Sequence, residues 1–466
     1  MQSTERATKR AALLVAAMGS FLTPFMGSAI NIALPSISRE FAMNAVSLGW
    51  VATAYLLAAA IFLVPFGRIS DIYGRKKIYT WGMLIYTLAS LLLAMSPSST
   101  MLIAFRALQG IGGSMIFGTG IAILISVFPM GERGRALGIN LAVLYLALSL
   151  GPFLGGLLTQ HFGWRSIFAV NVPLGLIVIA TIFWKLKGEW AEARGENFDL
   201  TGSVIYSLVL IAVIYGLTLL PALSGAVAIG IGILGMLAFI KWETRIESPV
   251  LHMELFRNNA MFTFSNLAAL IHYSASFAVT FLLSLYLQYN KGLSPQNAGL
   301  VLLAMPSIQI CFSPFAGRLS DKIEPRILAS VGMAVTTMGL IPFIFLEQNT
   351  TIPFVLASLA VLGIGHAVFS PPNTLAVMSC VHKKFLGVAS ATLATMRQIG
   401  MMFSMAIAML IFAVIIGRVE ISPQYYPVFI TSLKIGFITF SALCFAGIFA
   451  SLATGKIQTN SADVSK

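Results

Sequence analysis

Apolar residues in this chain come in runs of ~20 or more, and the charges collect between them. The runs lack the period-two alternation of a half-buried strand and are too long for one. They predict membrane-crossing helices at residues 11–34, 46–66, 78–96, 101–127, 136–160, 164–185, 200–220, 223–242, 260–289, 296–316, 327–346, 351–372, 386–416 and 429–454. Short polar stretches with Gly, Pro and Ser separate them and read as turns. The fold expected is an all-α integral membrane protein with 14 transmembrane helices.

Composition agrees with the pattern. Hydrophobic residues make up 58% and charged residues 10%, whereas a soluble domain carries about 25% charged residues. The net charge of +13 would point to nucleic acid in a soluble protein. Here its placement decides. With the N-terminus in the cytoplasm, Arg39, Arg165, Lys291 and Arg418 fall outside and Arg106, Arg397 and Lys434 fall within spans. The rest of the 29 Lys and Arg lie in inner loops, tails or the inner ends of spans. That asymmetry is the positive-inside rule. It places both termini in the cytoplasm of a multi-pass protein of the cell inner membrane. The basic balance then reflects topology and contact with the lipid bilayer, not a nucleic-acid partner. The first segment is read as an uncleaved helix, too long for a signal sequence. Cys311, Cys380 and Cys444 lie in or at the end of apolar runs and read as small buried hydrophobes; no metal or cofactor spacing is present.

The chain repeats itself. Gly67-Arg68-Ile69-Ser70-Asp71 and Gly317-Arg318-Leu319-Ser320-Asp321 stand 250 residues apart. Gly49 matches Gly299, Gly110-Ile111-Gly112 matches Gly363-Ile364-Gly365, and Gly138 and Gly151 match Gly387 and Gly400. Two copies of a six-helix unit are implied, with two further helices between them. The divisions are residues 1–190, a linker and extra helices over 191–257, and 258–466 with a short cytoplasmic tail. Duplicated bundles facing each other across a central cavity are a transporter architecture. The charged stretch from Lys185 to Asp199 reads as a solvated cytoplasmic linker, the alternative being a partner-docking segment. No phosphate-binding GxxxxGK[ST] occurs, so no ATP motor is expected, and no catalytic cluster marks an enzyme.

Several motifs carry a resemblance. Gly67-Arg68-Ile69-Ser70-Asp71-Ile72-Tyr73-Gly74-Arg75-Lys76-Lys77 joins the second and third spans. Arg106-Ala107-Leu108-Gln109-Gly110-Ile111-Gly112-Gly113 lies in the fourth. Leu150-Gly151-Pro152-Phe153-Leu154-Gly155-Gly156 lies in the fifth, with Gly138 earlier in the same span. With these, the chain resembles the major facilitator superfamily, and within it the fourteen-helix drug:proton antiporters of multidrug efflux and antibiotic resistance. The resemblance implies two pseudo-symmetric six-helix halves plus two extra helices. It implies export of an amphiphilic small molecule against protons by a monomer.

By resemblance, Gly67, Asp71, Gly74, Arg75, Glu132 and Asp321 belong to a latch that breaks and reforms as the halves rock. Arg75 would pair with an acid such as Glu132. Gly138, Gly151, Pro152, Gly155 and Gly156 form the antiporter signature, where glycines allow close contact and Pro152 removes a backbone hydrogen bond. Trp164, Arg165, Asp199 and Glu247-Ser248-Pro249 mark interfacial turns.

One position departs from the family. Met26 stands where many proton-coupled relatives have Asp, nine residues before Pro35, and no acid falls inside the fourteen runs. Charges within spans are functional candidates by default. Arg106 and Arg397 on that ground, His272 because an imidazole titrates near neutral pH, and Asn31 and Gln109 as polar groups that could line a cavity are the candidates for substrate and proton coupling. His366, His161, Lys434, Asn140, Gln309, Asn373 and Gln398 are weaker ones. A positive cavity suits anionic or neutral amphiphiles. Two alternatives stay open: an exporter of an organic anion or endogenous metabolite, and a membrane sensor or scaffold without transport.

Overall fold

The computed structural model describes residues 2–246, 249, 253–257, 259–320, 322–381 and 386–454. Asp321, Glu247 and Ser248 therefore lie outside the described residues. Fourteen helices are long and apolar enough to cross a membrane. They are α1 Ala7–Phe41, α2 Ala45–Tyr73, α3 Arg75–Ala94, α4 Ser99–Val127, α5 Glu132–Phe162, α6 Ser166–Lys185 and α7 Leu200–Leu219. Then come α8 Leu223–Glu243, α9 Ala260–Asn290, α10 Pro295–Ser320, α11 Pro325–Phe345, α12 Ile352–Ser379, α13 Val388–Ile415 and α14 Pro423–Leu452.

Side-chain caps set several starts. Asn44, Ser98, Asp199, Asn259 and Ser294 each accept a hydrogen bond from the backbone N–H three residues on. Prolines explain the interruptions. α6 breaks at Val170, where Pro173 withholds the bond that the Ala169 carbonyl would accept. α10 breaks at Leu303, just after the Leu302 carbonyl that Pro306 leaves without a helical donor. α11 tightens into a 3-10 turn, Ile341–Phe345, around Pro342.

The sequence repeat is a repeat of packing. An added Cβ on Gly112 would meet Tyr86 N and Gly82 O on α3, and one on Gly365 would meet Thr336 on α11. Gly110 lies against Ala58 on α2, as Gly363 lies against Ile308 on α10. Each contacted residue in one half has its counterpart 250 positions later: Tyr86 and Thr336, Ala58 and Ile308. Such close approach needs a residue without a side chain.

α7 and α8 form a hairpin on the outside. α7 packs against α2 and α13, one helix from each half, and Tyr206 donates to the Ala60 carbonyl at 3.1 Å. α8 is the most peripheral span, with 17% of its most apolar window buried.

Candidate substrate and coupling site

Among the described residues the hydrogen bonds between the halves run from one end of the molecule to mid-span, where Gln398 Nε2 donates to the Leu56 carbonyl at 3.5 Å. From α9, Ser284 Oγ donates to the Asn31 carbonyl on α1 at 2.6 Å and Gln288 Nε2 to the Ile32 carbonyl at 3.0 Å. Ala45 N at the start of α2 donates to the Val419 carbonyl beyond α13 at 3.1 Å. At the same end His161 and Gln160 of α5 meet Gln296 of α10.

The glycines of α5 make this seam possible. Those at 151 and 155 face Ser28 and Ala29 on α1, within the half. Gly156 faces the other half, and a Cβ there would lie 2.5 Å from the Pro295 carbonyl oxygen. Gly299 in turn lies on the Pro152 carbonyl. Gly400 seats α13 on the Leu270 carbonyl of α9, the counterpart of Gly151 on α1. At the opposite end, where the basic loops lie, Gly67, Gly134, Gly138 and Gly317 have no atom within 4 Å of an added Cβ. The cross-half contacts thus gather from the Asn31–Ser284 end to mid-span, and the glycines of the basic end are loosely surrounded.

At the basic end the linker docks on the turn between α2 and α3. Gly74 has φ +117°, a conformation that favours glycine, and a Cβ there would also meet the Glu189 carboxylate. Glu189 accepts from the N–H groups of Lys76 and Lys77 at 2.8 and 3.2 Å, so it caps the N-terminus of α3. Arg75 pairs with Asp71 at 2.7 Å and Glu192 at 2.8 Å, and Arg68 pairs with Glu196. Backbone bonds run from Arg75 N to the Trp190 carbonyl and from Ala193 N to the Asp71 carbonyl.

Two polar clusters lie deep in the membrane. In the N-terminal half Arg106, 1% exposed, donates to the Val51 carbonyl at 2.9 Å and to Gln109 Oε1 at 2.6 Å. Its guanidinium lies 4.6 Å from the Tyr55 ring centroid, and Gln109 donates onward to Ser90. In the C-terminal half His272 of α9 and His366 of α12 have ring centroids 4.5 Å apart. His272 stacks on Phe369 at 4.0 Å and meets Tyr273 edge-on. Arg397 of α13 lies over the Tyr273 ring at 5.7 Å and donates to Thr374 Oγ1 at 2.6 Å. Tyr145 of α5 reaches this cluster from the other half, facing Ser370, Tyr273 and Arg397. Arg397, Tyr273 and Tyr145 are part-exposed.

The profile described as Major Facilitator Superfamily matches residues 16–405 and 265–452. The chain belongs to the major facilitator superfamily. It is 28% identical to the riboflavin transporter RibZ of Clostridioides difficile, covering 94% of this chain and 96% of that one. It is 29% identical to the multidrug resistance protein Stp of Mycobacterium tuberculosis, covering 86% and 75%. It is 30% identical to the methylenomycin A resistance protein of Streptomyces coelicolor, covering 81% and 80%. A bacterial homologue of the lysosomal transporter Spinster, solved inward-facing and unoccupied, superposes with a TM-score of 0.67 over 97% of this chain and 98% of that one, at 15% identity.

This major facilitator places the expected residues in separate groups. Arg106 and Gln109 are together, each satisfied by the other inside one half. His272 and Arg397 are together in the other half. Asn31 is at the closed seam, where its carbonyl accepts from Ser284. Arg75 does not reach Glu132. It takes Glu192 of the linker, and Glu132 instead pairs with Lys9 at 3.1 Å. The linker from Leu186 to Glu196 is correspondingly bound to the chain's own turn. Gly138 faces open space and packs on nothing. Met26 is fully buried and receives the Asn171 amide at 2.9 Å.

The described acids in or directly beside spans lie at helix ends: Glu40, Asp71, Glu132, Asp199, Glu243 and Glu324. Among the described residues no cluster of three metal-ligating side chains occurs. Tyr145, Tyr273 and Thr374 had no signal in the sequence. His366 was among the weaker candidates, as a histidine within a span, and the structure sets it against His272.

Proposed function

We propose that this protein is a secondary active exporter of hydrophobic or amphiphilic small molecules, coupled to protons and working by alternating access. It works as a monomer in the cell membrane with both termini in the cytoplasm, so the basic end, read as the open end, faces the cytoplasm. The observation that carries the reading is the seam between two equivalent halves, which runs from one end to mid-span. Beneath it lies a part-exposed group of Tyr145, Tyr273 and Arg397. A cavity open to one side, between halves that can rock, is a transport intermediate. Relatives that are multidrug and antibiotic resistance proteins support an amphiphile as cargo. The docked Asp71–Arg75 turn is read as the latch, and the glycines of α5 as the hinge seam.

A second reading has its own observation. Arg397 is part-exposed with no carboxylate partner among the described residues, which favours an organic anion or a substrate with anionic character. A scaffold without transport gives no reason for halves that part at one end.

Everted membrane vesicles energised to an acid interior test the proposal. Ethidium as a cation, fluorescein as an anion and riboflavin as a neutral compound would each be offered with and without protonophore. Accumulation that requires both this protein and the gradient supports it. Which probe accumulates reports the charge the cavity accepts. No accumulation above vesicles lacking the protein, with the protein present in the membrane, refutes export of this class.

A further inference from the structure

An imidazole pair occupies the depth of membrane where this chain has no carboxylate. His272 is fully buried and His366 is 7% exposed. Neither ring nitrogen of His272 has a hydrogen-bond partner, nor does Nε2 of His366. Buried polar nitrogens without partners cost stability, and natural structures rarely leave them so. Three of them at one point, on rings in contact, form a site prepared for an occupant.

The surroundings are specific. Phe369 covers one face of His272, and Tyr273 on the same helix stands edge-on. From α13, Arg397 acts on His272 electrostatically. From α5, Tyr145 faces Arg397 and Tyr273. From α14, which packs on α9 and carries Lys434 and Cys444, Cys444 donates to the Met333 carbonyl.

We propose that His272 and His366 together bind one proton, and that a hydrogen-bond donor on the substrate competes with it for the same ring nitrogens. This rests on the exporter reading above. A neutral imidazole presents one donor and one acceptor nitrogen. Two rings in contact can share one added proton as N–H···N, and a second is opposed by the first and by Arg397. The neutral pair leaves an acceptor nitrogen for an O–H or N–H of an amphiphile whose apolar body lies on Tyr273 and Tyr145. The protonated pair has no such acceptor and carries a positive charge. Proton and substrate therefore exclude one another, which is the condition for antiport. With the seam closed, the fixed charge of Arg397 drives the proton off toward the open end. The proton enters from the other side when the seam parts.

The test is a proton titration of the purified full-length protein between about pH 5 and 8. Wild type is compared with His272→Gln, His366→Gln and the double variant. Each single variant is expected to bind about one proton fewer, and the double variant to lose the same one and no more. Additive loss of two protons, or no loss in either single variant, overturns the shared site. If His272→Gln does not yield monodisperse protein, His272→Phe keeps the stack on Phe369 and serves instead.

A probe that the vesicle assay has shown to be carried is then added at fixed pH in weak buffer. Wild type should release about one proton per probe bound, and the single variants none. Binding without release overturns the competition. A shared proton in a protein that carries no probe leaves the pair standing and removes the exporter reading. Flux with no shared proton does the reverse.

Discussion

Replacing Gly156 by Ala tests whether the seam is a conformational contact and not merely a packed surface. The new Cβ would sit 2.5 Å from the Pro295 carbonyl oxygen and 3.0 Å from Gln296 Cα, both backbone atoms of the other half. No flexible side chain can yield, so α5 and α10 must separate by roughly 1 Å to restore ordinary contact. Overpacking of this kind costs about 1–3 kcal/mol. The cost falls only on the state in which the seam is closed. Helix propensity, which favours Ala over Gly by ~1 kcal/mol, acts equally on both states and cancels. The equilibrium should therefore move roughly 5–150-fold toward the state open at this end. Spin labels at Phe162→Cys on α5 and Asn349→Cys between α11 and α12, in a background without the three native cysteines, would report the separation of the halves. The distance distribution should shift to longer values in Gly156→Ala. It should not shift in Gly138→Ala, where an added Cβ meets nothing within 4 Å. An unchanged distribution in well-folded Gly156→Ala would refute the reasoning.

Three further outcomes follow from the geometry. Arg397→Ala should weaken carriage of any probe with anionic character by about ten- to a hundredfold, the worth of a hydrogen bond to a charged group, while Arg397→Lys keeps part of it; equal flux in Arg397→Ala would remove Arg397 from the cavity's chemistry. Arg106→Met should act on stability instead, lowering it by about 1–3 kcal/mol because Gln109 Oε1 loses its buried donor, with thermal unfolding in detergent as the readout and an unaltered transition as the contrary result. Glu189→Ala uncaps α3 and frees the linker at a cost of about 1 kcal/mol or less; limited trypsin cleavage after Lys187 or Arg194 should speed several-fold, and unchanged cleavage would mean the linker is not held by this contact.

The fourteen spans were legible because each run is long, apolar and free of acids, and the repeat because charged turns between apolar helices stand out. The helix breaks at Val170 and Leu303 were written in Pro173 and Pro306, though the apolar pattern alone runs straight through them. The roles of the two buried arginines were not legible. Arg106 and Arg397 are the same residue in the same kind of span. Only the fold shows that Gln109, Tyr55 and the Val51 carbonyl enclose one, while the other stays part-exposed over the Tyr273 ring with Thr374 as its hydrogen-bond partner. The partner of Arg75 was hidden for a similar reason. Glu192 arrives from a linker more than a hundred residues away, and which of its three carboxylates meets which base depends on how that linker folds back on the turn. The closeness of His272 and His366 depends on how α9 packs against α12, which spacing along the chain does not encode.

The central claim is gradient-driven movement of a small molecule through the cavity between the halves. Its most direct test is flux in liposomes that contain only the purified protein and carry an imposed pH difference. Ethidium and riboflavin would serve as probes, and protonophore as the control. The account predicts protein-dependent movement of at least one probe against its own gradient, driven by the pH difference and abolished by protonophore. Movement that is indifferent to protonophore, or no movement above empty liposomes by protein shown to be folded, would contradict it.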